Sequence, residues 1–143
     1  MGGFTMIELV TVITMLGILA VVAIPRLDTS VYRSLEFHDR TVAALRYAQK
    51  TASSHRRTVC VAFTASTVVL TIDHDRSGAC DNQVLNLPGA NTNGVQSGDT
   101  VTAVFSPVPV GFNFFSDGSA SDRSILIADQ PAITVVGATG YVQ

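Results

Sequence analysis

The stretch Phe4–Pro25, FTMIELVTVITMLGILAVVAIP, constrains this chain more than any other part of it. From Phe4 to Ile24 it holds one formal charge, Glu8, among Val, Ile, Leu, Ala and Met, with one Gly and three Thr. As a helix, about 21 residues extend roughly 31 Å, enough to cross a bilayer core of ~30 Å. A stretch so apolar cannot stay in water, and its length favours a membrane span over a core helix. Glu8 is the anomaly, because a carboxylate near the start of a lipid-embedded helix costs a few kcal/mol and is kept only where something needs it.

Three readings compete for the segment. A cleaved secretory signal needs a basic start and a small-x-small cut site, but Met1-Gly2-Gly3 carries no Lys or Arg and Ile24-Pro25-Arg26 closes the apolar run. A plain anchor leaves Glu8 unexplained. The third reading accounts for both: Gly3-Phe4-Thr5-Met6-Ile7-Glu8-Leu9 resembles the processing site of type IV prepilins and pseudopilins. The resemblance implies that a prepilin peptidase cuts after Gly3 and methylates the new amino terminus at Phe4, which leaves Glu8 fifth in the mature chain. Residues 1–3 would then be leader, short for the family and without its usual basic residue, so a start codon upstream stays open.

In such a filament the apolar helices bundle away from water and lipid. Glu8 would pair with the α-amino group of Phe4 in a neighbouring subunit, each buried charge cancelling another. Gly17 and Pro25 match the family's helix-weakening glycine and proline. Gly lowers helix propensity by about 1 kcal/mol, and Pro removes a backbone donor and favours a kink. Close helix packing at Gly17 and a membrane exit at Pro25 remain alternatives.

Length bounds the remainder. Of 143 residues, the span leaves room for one small domain of about 115 residues and one core. The net charge of −2 does not call for a polyanionic partner, but its distribution is uneven. Arg26, Arg33, Arg40, Arg46, Lys50, Arg56 and Arg57 cluster between positions 26 and 57, whereas Asp73, Asp75, Asp81, Asp99, Asp117, Asp122 and Asp129 lie beyond 72. A basic rod therefore precedes an acidic body, which suits packing between neighbouring copies. Positive charge after an apolar span ordinarily stays cytoplasmic. The resemblance implies the reverse, a single inner-membrane pass with the globular domain periplasmic.

Helical periodicity continues from about Thr29 to Ser54, with Val31, Leu35, Val42, Leu45, Ala48 and Ala52 on one apolar face. Glu36 and Arg40 form a favourable i,i+4 pair. Lys50 with His55-Arg56-Arg57 reads as a cationic helix C-terminus rather than a nucleic-acid patch. Beyond Arg57 the pattern becomes short β-rich runs. Thr58–Thr64 and Thr67–Ile72 form a hairpin over Ala65-Ser66, followed by candidates at Gln83–Leu87, Thr100–Ser106, Phe112–Phe115, Ser124–Ala128, Ala132–Val136 and Tyr141–Gln143. Gly89–Gly98 reads as a mobile loop. The expected fold is α+β, a long amino-terminal helix packed on antiparallel sheet. Its parts are leader 1–3, membrane or filament-core helix 4–28, amphipathic helix 29–57 and β-rich domain 58–143.

The carboxyl half narrows the resemblance. Gly111-Phe112-Asn113-Phe114-Phe115-Ser116-Asp117-Gly118-Ser119, Ser124–Ile127, Ile133–Val136 and Thr139-Gly140-Tyr141-Val142 resemble the GspH/FimT minor pilins and pseudopilins. The resemblance implies a structural subunit of a type IV pilus or a type II secretion pseudopilus, working with other pilin subunits, the peptidase, the inner membrane and its assembly platform. The alternative is a DNA-uptake or adhesive minor pilin on the same scaffold. The Gly-Arg-x-Arg of DNA-binding members is replaced by Gly140-Tyr141-Val142-Gln143, so nucleic acid is not expected as a partner.

Two features hold possible chemistry. Asp73-x-Asp75-x-Ser77-Gly78 matches the first half of an EF-hand calcium loop, but the twelfth position is Val84 and no helices flank it. A turn with Asx hydrogen bonds is the preferred reading. Cys60 and Cys80 are the only cysteines, and in an exported domain they are expected to pair, closing a loop of about 20 residues worth ~3 kcal/mol. Cys60, Cys80, His74 and Asp75 lack metal-site spacing. With no G-x-S-x-G, P-loop, H-E-x-x-H or G-x-G-x-x-G, neither catalysis nor a cofactor is expected.

Overall fold

The computed structural model describes residues 3–23, 29–80, 83–90, 92–97 and 104–143. Helix α1 spans Met6–Ala23 and α2 spans Thr29–His55. Strands β1 (Val59–Phe63), β2 (Thr67–Ile72), β3 (Gly94–Gln96) and β4 (Phe112–Phe114) form one antiparallel sheet in the order β3-β2-β1-β4. Strands β5 (Arg123–Ile125), β6 (Ile133–Val136) and β7 (Tyr141–Val142) form a second, also antiparallel.

The hairpin follows from period-2 alternation. Val59 and Val61 of β1 and Val68 and Leu70 of β2 point inward, and Val61 faces Leu70 across the ladder. Phe112 and Phe114 extend the buried row from β4, opposite Val61 and Val59. One face of α2 closes this sheet through Leu45, Ala48 and Ala52, which are fully buried. An aromatic chain links the layers: Phe37 of α2 lies 5.2 Å from Phe105, which lies 5.3 Å from Phe63. The second sheet contributes Ile125, Ile133, Val135 and Val142 to the same core.

The apolar face of α2 is rotated from the expected one. Ser34, Phe37, Thr41, Ala44, Leu45, Ala48, Thr51 and Ala52 are buried, whereas Leu35 is 46% exposed and Val42 only half-buried. Small residues at the contact let the helix approach the sheet closely, which large aliphatics at those positions would prevent. Val31 lies where side chains are outside the described residues. Glu36 and Arg40 do pair, at 2.6 Å, on the solvent side.

Helix α2 ends in a Schellman turn. Arg56 has φ 50°, and the Arg57 N–H donates to the Ala52 carbonyl at 3.1 Å. Left-handed backbone is strained for Arg and free for Gly, so Arg56→Gly is expected to stabilise the fold by about 0.5–1 kcal/mol. Chemical denaturation checks this as a higher midpoint at constant slope.

Two expectations are corrected, and a third falls largely outside the described residues. Gly89–Gly98 is not simply a loop, because Gly94–Gln96 pairs with β2 and buries Val95. A Cβ at Gly94 would sit 2.6 Å from the Val68 carbonyl oxygen, so the glycine is what lets this strand dock. Gln83–Leu87 contributes only an isolated bridge, Val84 to Thr71, at the sheet edge. Thr100–Ser106 lies largely outside the described residues, with Phe105 bridging Ile127.

Candidate functional site

The candidate site is the amino-terminal helix. Thr5 caps it: the Glu8 N–H lies 3.4 Å from Thr5 Oγ1 and 3.1 Å from the Thr5 carbonyl oxygen. Thr5 at N-cap and Glu8 at N3 match the Thr-x-x-Glu pattern of a capping box, of which only the Thr5 half is made, its hydroxyl facing the Glu8 N–H. That signal was present in the sequence, three residues apart just before an apolar run. Among the described residues no ion pair reaches the exposed Glu8 carboxylate.

The helix presents apolar surface on every side. Residues 3–21 are all exposed, and Thr11 and Thr14 turn their hydroxyls onto the Glu8, Val10 and Thr11 carbonyls of their own helix. Their donors are therefore satisfied without water. The helix runs unbroken through Gly17, where an added Cβ would meet nothing within 4 Å. Pro25 lies outside the described residues. Among the described residues no helix is long and apolar enough to cross a membrane. The 18 residues of α1 extend about 27 Å, and the expected segment 4–28 continues into residues 24–28, also outside the described part.

Cys60 and Cys80 form a disulfide with Cα atoms 6.0 Å apart, joining β1 to the loop after β2. It belongs to the globular body, on elements separate from Gly3, Phe4, Glu8 and Gly17. Of the cationic cluster, Arg57 is structural, its guanidinium donating to the His74 carbonyl at 2.6 Å and lying 3.2 Å from His74 Nδ1. Among the described residues no three His, Cys, Asp or Glu side chains gather as a metal-binding group.

Two aspartates in turns sit below the usual carboxylate range. Asp75 is lowered chiefly by its hydrogen bonds with Ser77, side chain then backbone, and Asp117 by the equivalent bonds with Ser119. The expected Asx turn at 73–78 is thus present: Ser77 N–H donates to Asp75 Oδ1 at 2.9 Å and Gly78 N–H to Asp73 Oδ2 at 2.8 Å.

Polar side chains that the sequence did not single out tie α2 to the second sheet. Arg46 Nε donates to the Val142 carbonyl at 3.1 Å, Gln49 Nε2 to the Thr139 carbonyl at 2.8 Å, and Gln130 Nε2 to Ser34 Oγ at 3.0 Å. Each bond joins residues at least 90 positions apart, so no local pattern announces it.

A helix laid on an antiparallel sheet, preceded by an apolar helix clear of the body, is the type IV pilin fold. The crystal structure of the type IV minor pilin FimU from Pseudomonas aeruginosa strain PAO1 is similar at TM-score 0.57 and 16% identity, covering 80% of this chain and 90% of that one. At that identity the likeness shows the fold. No family model and no curated protein matches the sequence.

Proposed function

We propose that this chain is a structural subunit of a type IV pilin-like filament, a minor pilin or pseudopilin of the GspH/FimT kind, and not a catalyst. The observation that carries the reading is α1, with twelve large apolar side chains exposed from Phe4 to Val21 around one carboxylate. Burial is worth about 1.5–3 kcal/mol per large apolar side chain, which outweighs the few kcal/mol for one carboxylate. This helix must therefore be covered by lipid or by other helices. The segment 4–28 serves first as a single inner-membrane pass with the body periplasmic, then as the filament core.

In this reading the prepilin peptidase cuts between Gly3 and Phe4 and methylates Phe4. Other pilin or pseudopilin subunits and the inner-membrane assembly platform are the partners. Glu8 sets register by meeting the Phe4 α-amino group of a neighbour, and Gly17 and Pro25 let the helix yield during packing. The FimU likeness supports a pilus; the sequence resemblance admits a type II secretion pseudopilus equally. Mass spectrometry of the chain recovered from its cell envelope tests the reading. A chain starting at Phe4 with one added methyl is expected; one retaining Gly3, or cut beyond Pro25, overturns it.

A further inference from the structure

The filament reading leaves the loop after β2 without a role. Both of its ends are pinned. Asp73 N–H donates to the Thr58 carbonyl at 2.9 Å, Ile72 N–H donates to the Gln83 carbonyl at 3.0 Å, and Cys80 is bonded to Cys60. Within it Gly78 takes φ 81°, and Ala79 N–H donates to Ser77 Oγ at 3.3 Å. The backbone bonds described above hold Asp73, Asp75 and Ser77 within one tight turn.

The turn bonds do not account for Asp73 itself. Its side chain is only 2% exposed, and while Oδ2 accepts from Gly78, Oδ1 is buried with no hydrogen-bond partner. A deeply buried carboxylate oxygen with no donor calls for a positive charge beside it. Arg57 does not supply it, since its guanidinium goes to His74, and among the described residues no ion pair reaches the Asp73 or Asp75 carboxylate.

We propose that Asp73–Ser77 is a calcium site, with Asp73 Oδ1, an Asp75 carboxylate oxygen and Ser77 Oγ as ligands and water completing the shell. Calcium accepts six to eight oxygens in irregular geometry, whereas magnesium demands a near-ideal octahedron that a turn with three side-chain oxygens does not provide. Val84 occupies the twelfth position of the loop, where an EF-hand has a bidentate glutamate, so affinity falls at the weak end, on the order of 10⁻⁴–10⁻³ M. Bound calcium would fix the loop beside the disulfide. The inference stands independently of filament assembly.

The test uses the full chain in detergent micelles, titrated with calcium chloride and in parallel with magnesium chloride. Calorimetry and thermal unfolding are the readouts. Calcium is expected to give a saturable heat and a Tm higher by several degrees, which magnesium at the same concentration does not reproduce. Asp75→Asn is an exposed change whose amide oxygen still accepts from Ser77. It is expected to weaken calcium binding by about ten-fold or more with the metal-free Tm unchanged. Asp117→Asn, in a turn without a buried carboxylate, keeps full binding. No saturable response up to about 10 mM calcium, an equal response to magnesium, or an undiminished response in Asp75→Asn overturns the site.

Discussion

Glu8→Gln is expected to exclude the chain from filaments while leaving it folded. Thr5 caps the backbone N–H of residue 8, so that bond survives the change. The lost interaction of a carboxylate with the helix dipole is worth only about 0.3–1 kcal/mol. Within a bundle of apolar helices the consequence is much larger. The α-amino group of Phe4 loses its counter-charge, and an uncompensated buried charge costs about 3–5 kcal/mol. At 1.4 kcal/mol per factor of ten, incorporation falls by roughly 10² to several thousand-fold. The measurement is the ratio of sheared-filament to cell-associated protein, beside the thermal midpoint of the purified chain. Glu8→Ala also keeps the Thr5 cap on the residue 8 N–H and loses the charge, so it is expected to fall with Gln. Normal incorporation of Glu8→Gln would sink the intersubunit pair.

What was legible in the sequence was periodic or punctuated. Val59, Val61, Val68 and Leu70 alternate cleanly, and the hairpin formed where that alternation placed it. Leu45, Ala48 and Ala52 marked α2 correctly, but the rest of its face was hidden. Thr41 and Thr51 are polar by type, yet they are buried because the helix lies close to the sheet, while the bulkier Leu35 faces out. Strand β3 was masked by its own glycine, since Gly94 reads as loop until its contact with the Val68 backbone is seen. At the candidate site, Gly3, Phe4 and Glu8 stood out as a motif. The capping role of Thr5 is harder to read, because the same Glu8 three residues on also completes the processing motif. The orphaned Oδ1 of Asp73 could not be read at all, because burial and missing partners are properties of three dimensions.

Gly140→Ala should lower stability more than any other single methyl added at a described glycine. The turn between β6 and β7 is closed by Gly140 N–H donating to the Val136 carbonyl at 2.7 Å, and it is held to α2 by Gln49 at the Thr139 carbonyl. Gly140 has φ 63°, and a Cβ there would overlap the Gly118 carbonyl oxygen, with Gln49 Cγ at 3.1 Å. Gln49 could swing aside; the Gly118 carbonyl cannot, because Gly118 is itself at φ 87° in a turn closed by its N–H to the Phe115 carbonyl at 2.9 Å. Left-handed backbone costs Ala about 1 kcal/mol and overpacking against backbone a further 1–3, so the loss is about 2–4 kcal/mol. For a domain of this size that is a fall in Tm on the order of 10 °C or more. Gly17→Ala supplies the contrast within the same chain, since the added methyl meets nothing there and leaves the unfolding of the globular body unchanged. A Gly140→Ala chain that melts with the unsubstituted one would mean that the two turns part freely. The second sheet would then not be fastened to the helix through this contact.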